Sequence, residues 1–170
     1  MVNILVTGPP RSGKSTLISK IISNINSKVI GFITTEIREN YSRIGFEIET
    51  FSGHKKVLAS KNNLSSRYRV GKYGIFLENL NFIIDRLQEQ ILNEECDLII
   101  IDEIGKMELF SQSFRNFVLK ALDENKVLGT IMLKDNDFTY RIKTREDTTI
   151  FMLSEQNRKK MISKIEELVS

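Results

Sequence analysis

The chain has 170 residues, enough for a single domain spanning residues 1–170 with a sizeable core. Its apolar share of 41% and charged share of 28% are ordinary for a globular protein, and a net charge of +3 gives no reason to infer a nucleic-acid partner. Cys96 is the sole cysteine, so an internal disulfide and a cysteine-built zinc site are excluded; a reducing, cytoplasmic setting is the expectation.

The first element is a short apolar strand, Asn3-Ile4-Leu5-Val6-Thr7, not a signal peptide. It runs into Gly8-Pro9-Pro10-Arg11-Ser12-Gly13-Lys14-Ser15-Thr16 and then a helix. Glycine, four residues, then Gly-Lys-Ser is the phosphate-loop pattern, and strand, loop, helix is the context it needs. A triphosphate is a dense cluster of negative charge. Gly8 and Gly13 let the backbone turn and approach its oxygens. The freed amides form a concave anion site at a helix N-terminus. Lys14 is expected to reach the β- and γ-phosphates, and the Ser15 hydroxyl to ligate Mg²⁺, which takes few protein ligands. Arg11 either leans over the phosphates or is a solvated loop cation.

Leu17, Ile18, Ile21, Ile22 and Ile25 recur on one face of the following helix. Val29 to Thr34 reads as the second strand, and residues 36 to 43 as a polar loop. Phe46, Ile48 and Thr50 alternate with Glu47 and Glu49, as in a half-exposed strand; Lys55 to Ala59 returns after the Ser52-Gly53 turn. This is an early β-meander. His54 is expected to be exposed beside that turn. Residues 60 to 72 are polar and basic, Tyr73 to Leu77 is a short strand, and Leu80, Ile83, Ile84, Leu87 and Ile91 mark an amphipathic helix. Core packing is expected for Phe76, Phe82 and Cys96.

Leu98-Ile99-Ile100-Ile101-Asp102-Glu103 is an apolar run that ends in two acids. Such runs suit a strand buried on both faces. Placed next to the first strand, it would deliver Asp102 beside the magnesium. Glu103 could hold a water in line with the γ-phosphorus and accept its proton. Asp102-Glu103-Ile104-Gly105 also fits the Asp-x-x-Gly pattern of small GTPases, but no Asn-Lys-x-Asp guanine reader follows.

Phe114, Phe117, Val118, Ala121 and Leu122 form the next helix stripe, then Val127 to Leu133 a strand. Residues 133 to 147 read as a mobile charged loop, Thr148 to Leu153 as a strand, and Met161 to Val169 as a helix capped by Ser154. The alternation argues an α/β domain with a mostly parallel sheet flanked by helices, its ligand at the carboxyl ends of the strands. No apolar stretch approaches the roughly 18 residues of a membrane span.

The blocks Gly8-Pro9-Pro10 through Thr16, Gly31 to Arg38, Arg43-Ile44-Gly45-Phe46, Arg69 to Gly74, Asp102 to Ser111 and Asn157-Arg158 resemble the small nucleoside-triphosphatases first described from thermophiles, whose human relative is the cancer-related nucleoside-triphosphatase. The resemblance spans essentially the whole chain. It implies a RecA-like phosphate-loop fold and Mg²⁺-dependent hydrolysis of ATP, GTP, CTP, UTP and TTP, with residues 8 to 16 and Leu98, Ile99, Ile100, Ile101, Asp102, Glu103, Ile104 and Gly105 contacting nucleotide. The catalytic pair would be Lys14 and Glu103, and the metal ligands Ser15 and Asp102.

Arg38, Arg43, Arg69 and Lys72 are candidates for a cation that stabilises the transferred phosphoryl group. Tyr68 and Tyr73 are candidates for stacking on a base, and Glu36 for orienting the switch-like segment that contains it. Two other functions fit the same motifs. A nucleotide or small-molecule kinase would close residues 133 to 147, with Lys134, Arg141, Lys143 and Arg145, as a lid. A slow nucleotide-dependent switch would order residues 34 to 45 on the γ-phosphate. The expected state is a monomer whose partner is its nucleoside triphosphate substrate, with no membrane association.

Overall fold

A computed structural model describes residues 2–170. The chain enters at β1 (Asn3–Thr7), passes the glycine loop into α1 (Lys14–Asn24) and returns as β2 (Val29–Glu39). Then come β3 (Ser42–Thr50), β4 (Lys55–Ser60), β5 (Arg69–Val70), β6 (Tyr73–Ile75) and α2 (Leu77–Asn93). A strand, β7 (Leu98–Ile104), leads through a 3-10 turn at Glu108–Phe110 to α3 (Gln112–Asp123). The chain closes with β8 (Val127–Ile131), α4 (Asp137–Lys143), β9 (Thr148–Met152) and α5 (Arg158–Val169).

All these strands join one mixed sheet in the order β5-β6-β4-β3-β2-β7-β8-β1-β9. From β2 to β9 the pairings are parallel; from β2 outward to β5 they are antiparallel. The expected meander is therefore an extension of the sheet at one edge. One expectation needs correction. The acidic strand β7 does not lie beside β1, because β8 stands between them.

Alternation along β7 divides its side chains between two cores. Ile99, Ile101 and Ile104 pack with Leu80, Ile83 and Ile84 of α2 and with Phe114 and Phe117 of α3. Leu98 and Ile100 pack on the other face with Leu17, Ile18 and Ile21 of α1 and Ile162 and Ile165 of α5. Each fully buried aliphatic side chain of this kind contributes about 1.5–3 kcal/mol. That double burial fixes where β7 ends, and so where its acids emerge.

Three expectations about polar segments also change. Residues 36 to 43 are not a loop: Thr34 to Glu39 pair with Ser42 to Ile48, and the turn is confined to Asn40 and Tyr41. Residues 133 to 147 contain α4, opened by a reciprocal capping box in which Asn136 and Thr139 each bond the other's backbone amide. Ser154 does not cap α5; its hydroxyl accepts from the Asn157 amide (3.3 Å) while the Ser154 amide donates to Asn157 Oδ1 (2.8 Å), which orders the turn ahead of the helix. Cys96 is half-buried against the core, Phe76 is half-buried, and Phe82 is 40% exposed under Lys56, so Phe82 is no core residue. His54 is exposed as expected.

Gly31 of β2 sits opposite Ile100 of β7 at φ +139°, and a Cβ there would overlap the Ile100 carbonyl oxygen. That backbone region is essentially restricted to glycine. Gly31→Ala is expected to destabilise the protein by about 2 kcal/mol or more, read from urea unfolding. A variant as stable as the parent would contradict this account of the β2–β7 contact.

Candidate functional site

Local sequence shapes the loop. Ser12 N donates to Pro9 O (3.2 Å), Arg11 takes φ +64° and Gly13 φ +88°, and α1 begins at Lys14. Lys14 Nζ folds back on the loop, donating to the carbonyls of Gly8 (3.1 Å) and Pro9 (3.3 Å). Arg158, the first residue of α5, braces the loop from outside: its Nη2 donates to Ser12 O at 2.7 Å, and a Cβ on Gly13 would strike its guanidinium. Among the described residues, the buried side-chain polar atoms without a partner are Thr7 Oγ1, Ser12 Oγ and Arg158 Nε. All three belong to the loop or its supports.

Asp102 is the buried acid at the end of β7, 1% exposed. Its Oδ1 accepts from the Ser15 hydroxyl at 3.1 Å and from the Thr130 hydroxyl at 2.6 Å. Its carbonyl accepts from the Thr34 hydroxyl at 2.6 Å. The strand that intervenes between β1 and β7 thus supplies one of the groups that hold Asp102. Burial pushes the Asp102 carboxyl up, and the Thr130 and Ser15 hydroxyls and the Lys14 charge oppose that rise. Glu103 is also pushed up by burial, opposed by Lys14 and reinforced by Asp102.

These groups open into one cavity of about 970 Å³. Gly8, Pro10, Arg11, Gly13, Lys14, Ser15 and Thr16 form one wall; Asp102, Glu103 and Gly105 face them, with Thr34, Arg43 and Lys134 among the remaining lining residues. Leu98, Ile99, Ile100, Ile101 and Ile104 do not line it; they are buried strand residues that place the acids. Pro9 and Ser12 shape the loop behind that wall.

Of the four candidate cations, only Arg43 lines this cavity. It donates to Glu36 (2.8 Å) and to the Tyr73 hydroxyl (3.0 Å), with its guanidinium 5.0 Å from the Phe46 ring centroid. Arg38 is paired with Glu36, Arg69 donates to the carbonyls of Asn63 and Lys72, and Lys72 lies over the Tyr73 ring. Neither Tyr68 nor Tyr73 lines the cavity; Tyr68 packs on Phe110, and Tyr73 is buried.

Sequence reading missed Thr34, Thr130, Arg158 as the loop brace, and Glu108. Thr130 carried a faint signal, as a hydroxyl inside the apolar strand Val-Leu-Gly-Thr-Ile. Glu108 falls in the family-like block Asp102 to Ser111, but an acid after Gly105-Lys106-Met107 reads as surface. It is 5% exposed and lines the cavity. Burial first, then the Glu103 charge, pushes its carboxyl from an ordinary 4.5 up to about 8.

That rise has a stability consequence with a definite sign. Between about pH 4.5 and 8 the folded chain holds a proton on Glu108 that the unfolded chain has released. Stability from this group is therefore complete below the lower value and lost as pH rises through the upper one. Glu108→Gln should flatten this part of the decline, with a difference from the parent on the order of a few kcal/mol by pH 9. Thermal melting of both proteins across pH 5 to 9 measures it; parallel curves would refute the buried neutral acid.

The sequence and the fold are similar to those of known proteins. The model of the family described as NTPase matches residues 3–166. The nucleoside-triphosphatase THEP1 of Thermotoga maritima is 46% identical over 165 residues, covering 96% of this chain and 93% of that protein. The crystal structure of THEP1 from the hyperthermophile Aquifex aeolicus superposes with a TM-score of 0.84 at 35% identity, covering 100% of this chain and 99% of the other. The solution structure of a human cancer-related nucleoside triphosphatase gives 0.79 at 32% identity, covering 100% and 98%. The phosphate loop, the acidic strand and the shared fold are of one piece: the chain belongs to this NTPase family and is a phosphate-loop nucleoside-triphosphatase.

Proposed function

We propose that the protein hydrolyses ATP, GTP, CTP, UTP and TTP to the diphosphate and phosphate, with Mg²⁺ and with little discrimination among bases. The observation that carries this reading is the juxtaposition, in one cavity, of the phosphate loop, Asp102 bonded to Ser15, and the Glu103 carboxyl. The loop walls of the cavity address phosphate rather than a base edge, which supports base tolerance.

The donor set suits magnesium. Ser15 Oγ and Asp102 Oδ1 are hard oxygen donors 3.1 Å apart, and among the described residues no cluster of His, Cys, Asp and Glu forms a protein cage. A small cation that keeps waters and substrate oxygens as ligands fits such a site. When bound, Mg²⁺ supplies charge neutralisation to the phosphate oxygens, and its charge favours the carboxylate form of Asp102.

This chain's own residues do the rest. Lys14 exchanges its bonds to the Gly8 and Pro9 carbonyls for phosphate oxygens. The loop amides hold the phosphates against the helix N-terminus. Thr130 and Thr34 fix Asp102. Glu103 orients a water and takes its proton as the water oxygen bonds to the γ-phosphorus and the bridging P–O bond breaks. Catalysis is then positioning and electrostatics. Of the four cations in residues 133 to 147, Lys143 is bonded to Asp135 and to Met132 O and Arg145 to Asp123 and Asp147, while Lys134 lines the cavity.

Two substitutions test the roles. Glu103→Gln should bind nucleotide as the parent does and lose about 100-fold or more in kcat; undiminished phosphate release would remove Glu103 as the base. Lys14→Ala should abolish saturable turnover, and the measurement is steady-state phosphate release with each of the five nucleotides, with and without Mg²⁺. A strong preference for one base in that panel would contradict base tolerance.

A further inference from the structure

A second cavity of about 480 Å³ adjoins the catalytic one, and Lys106 lines both. Separate parts of the chain build it. The hairpin of β5 and β6 contributes Arg69 and Gly71, the turn after β7 contributes Lys106 and Phe110, and Asn136 closes it from the start of α4. Arg69 donates to Asn63 O at 2.7 Å and to Lys72 O at 3.0 Å, bonds that fix its guanidinium without neutralising it. Among the described residues, neither Arg69 nor Lys106 forms an ion pair, and no carboxylate lines the cavity. Phe110 is 39% exposed and packs on Tyr68, with ring centroids 5.5 Å apart. Asn136 commits its Oδ1 to the Thr139 amide (2.9 Å) and keeps its Nδ2 as a donor. The mechanism above uses none of these residues.

We propose that this cavity binds a second small molecule, a phosphate ester on a ring-bearing body of the nucleoside monophosphate kind, while the nucleoside triphosphate occupies the catalytic cavity. The volume suits such a ligand, since small-molecule sites span about 300–1,000 Å³. Charge selects an anion. A cleft lined by one sign of charge focuses the field and draws the opposite charge. The Arg69 guanidinium and the Lys106 ammonium are both phosphate-binding groups, and the Asn136 amide adds a neutral donor. A bare phosphate would leave the Phe110 ring in water. An exposed aromatic ring beside two cations instead accepts a base or another flat ring by stacking, while the cations hold the phosphate. The two cavities share Lys106 alone, so both ligands fit at once. The proposal does not depend on the reaction assigned to Glu103.

The test is calorimetric titration of AMP, ribose 5-phosphate and adenosine into the full chain already saturated with Mg²⁺ and β,γ-imido-ATP, so that the phosphate loop is filled. Binding of that analogue, measured first, checks the catalytic cavity separately. AMP should bind the saturated protein, and ribose 5-phosphate and adenosine should each bind about tenfold or more weakly, for want of the ring or of the charge. Phe110→Ala should weaken AMP about fivefold or more through lost stacking, with affinity for the analogue within about twofold of the parent. Arg69→Gln keeps a donor for Asn63 O and loses the charge, and should weaken AMP about tenfold or more. AMP that binds only when the analogue is absent belongs to the phosphate loop, and that result would overturn the proposal. So would ribose 5-phosphate or adenosine binding as tightly as AMP, or an unchanged AMP affinity in either variant. If Phe110→Ala does not fold, Phe110→Leu, which keeps apolar volume without a π-face, is read in its place.

Discussion

The site depends on holding acid groups at the end of a buried strand beside Lys14. β7 is packed on both faces, so Asp102 emerges into a nearly dry position rather than into water. A carboxylate there is tolerable only with hydrogen-bond donors around it. Ser15 from α1 and Thr130 from β8 supply them, and Thr34 from β2 holds the adjoining carbonyl. Three separate elements are thereby tied to one residue. The same arrangement links the two halves of the site, because Ser15 belongs to the phosphate loop and Asp102 to the acidic strand.

Glu103 and Glu108 extend this constraint. Asp102 has hydroxyl donors, Glu103 faces Lys14, and Glu108 is buried beside the Glu103 charge. Environment thus sets chemically similar groups apart. The loop itself is restrained from the opposite side. Arg158 binds Ser12 O and lies against Gly13, so α5, at the far end of the chain, braces the anion site. A loop held in that shape offers its amides to phosphate without having to order them first.

Much of this was legible in the sequence, and the remainder was hidden for identifiable reasons. The octet from Gly8 to Ser15 and the run from Leu98 to Glu103 announce themselves because spacing along one segment dictates their geometry. Thr34, Thr130 and Arg158 act through partners far away in the chain, and the one local mark of these roles is the Thr130 hydroxyl inside an apolar strand. The expectation that β1 and β7 are neighbours failed because sheet order is not written in either strand. The β2–β3 hairpin was read as a loop because Glu36, Arg38 and Arg43 look solvated; cross-strand pairing and the Glu36–Arg43–Tyr73 bonds hold it instead. α4 was hidden in a charged stretch, although Asn136 and Thr139 at capping-box spacing were a usable sign of its start.

The central claim is that water, activated at Glu103, attacks the γ-phosphorus. Hydrolysis of ATP in ¹⁸O-labelled water, with mass analysis of both products, tests it most directly. The account predicts one solvent oxygen in the released phosphate and none in the diphosphate. Label in the diphosphate, or phosphate released without solvent oxygen, would contradict it.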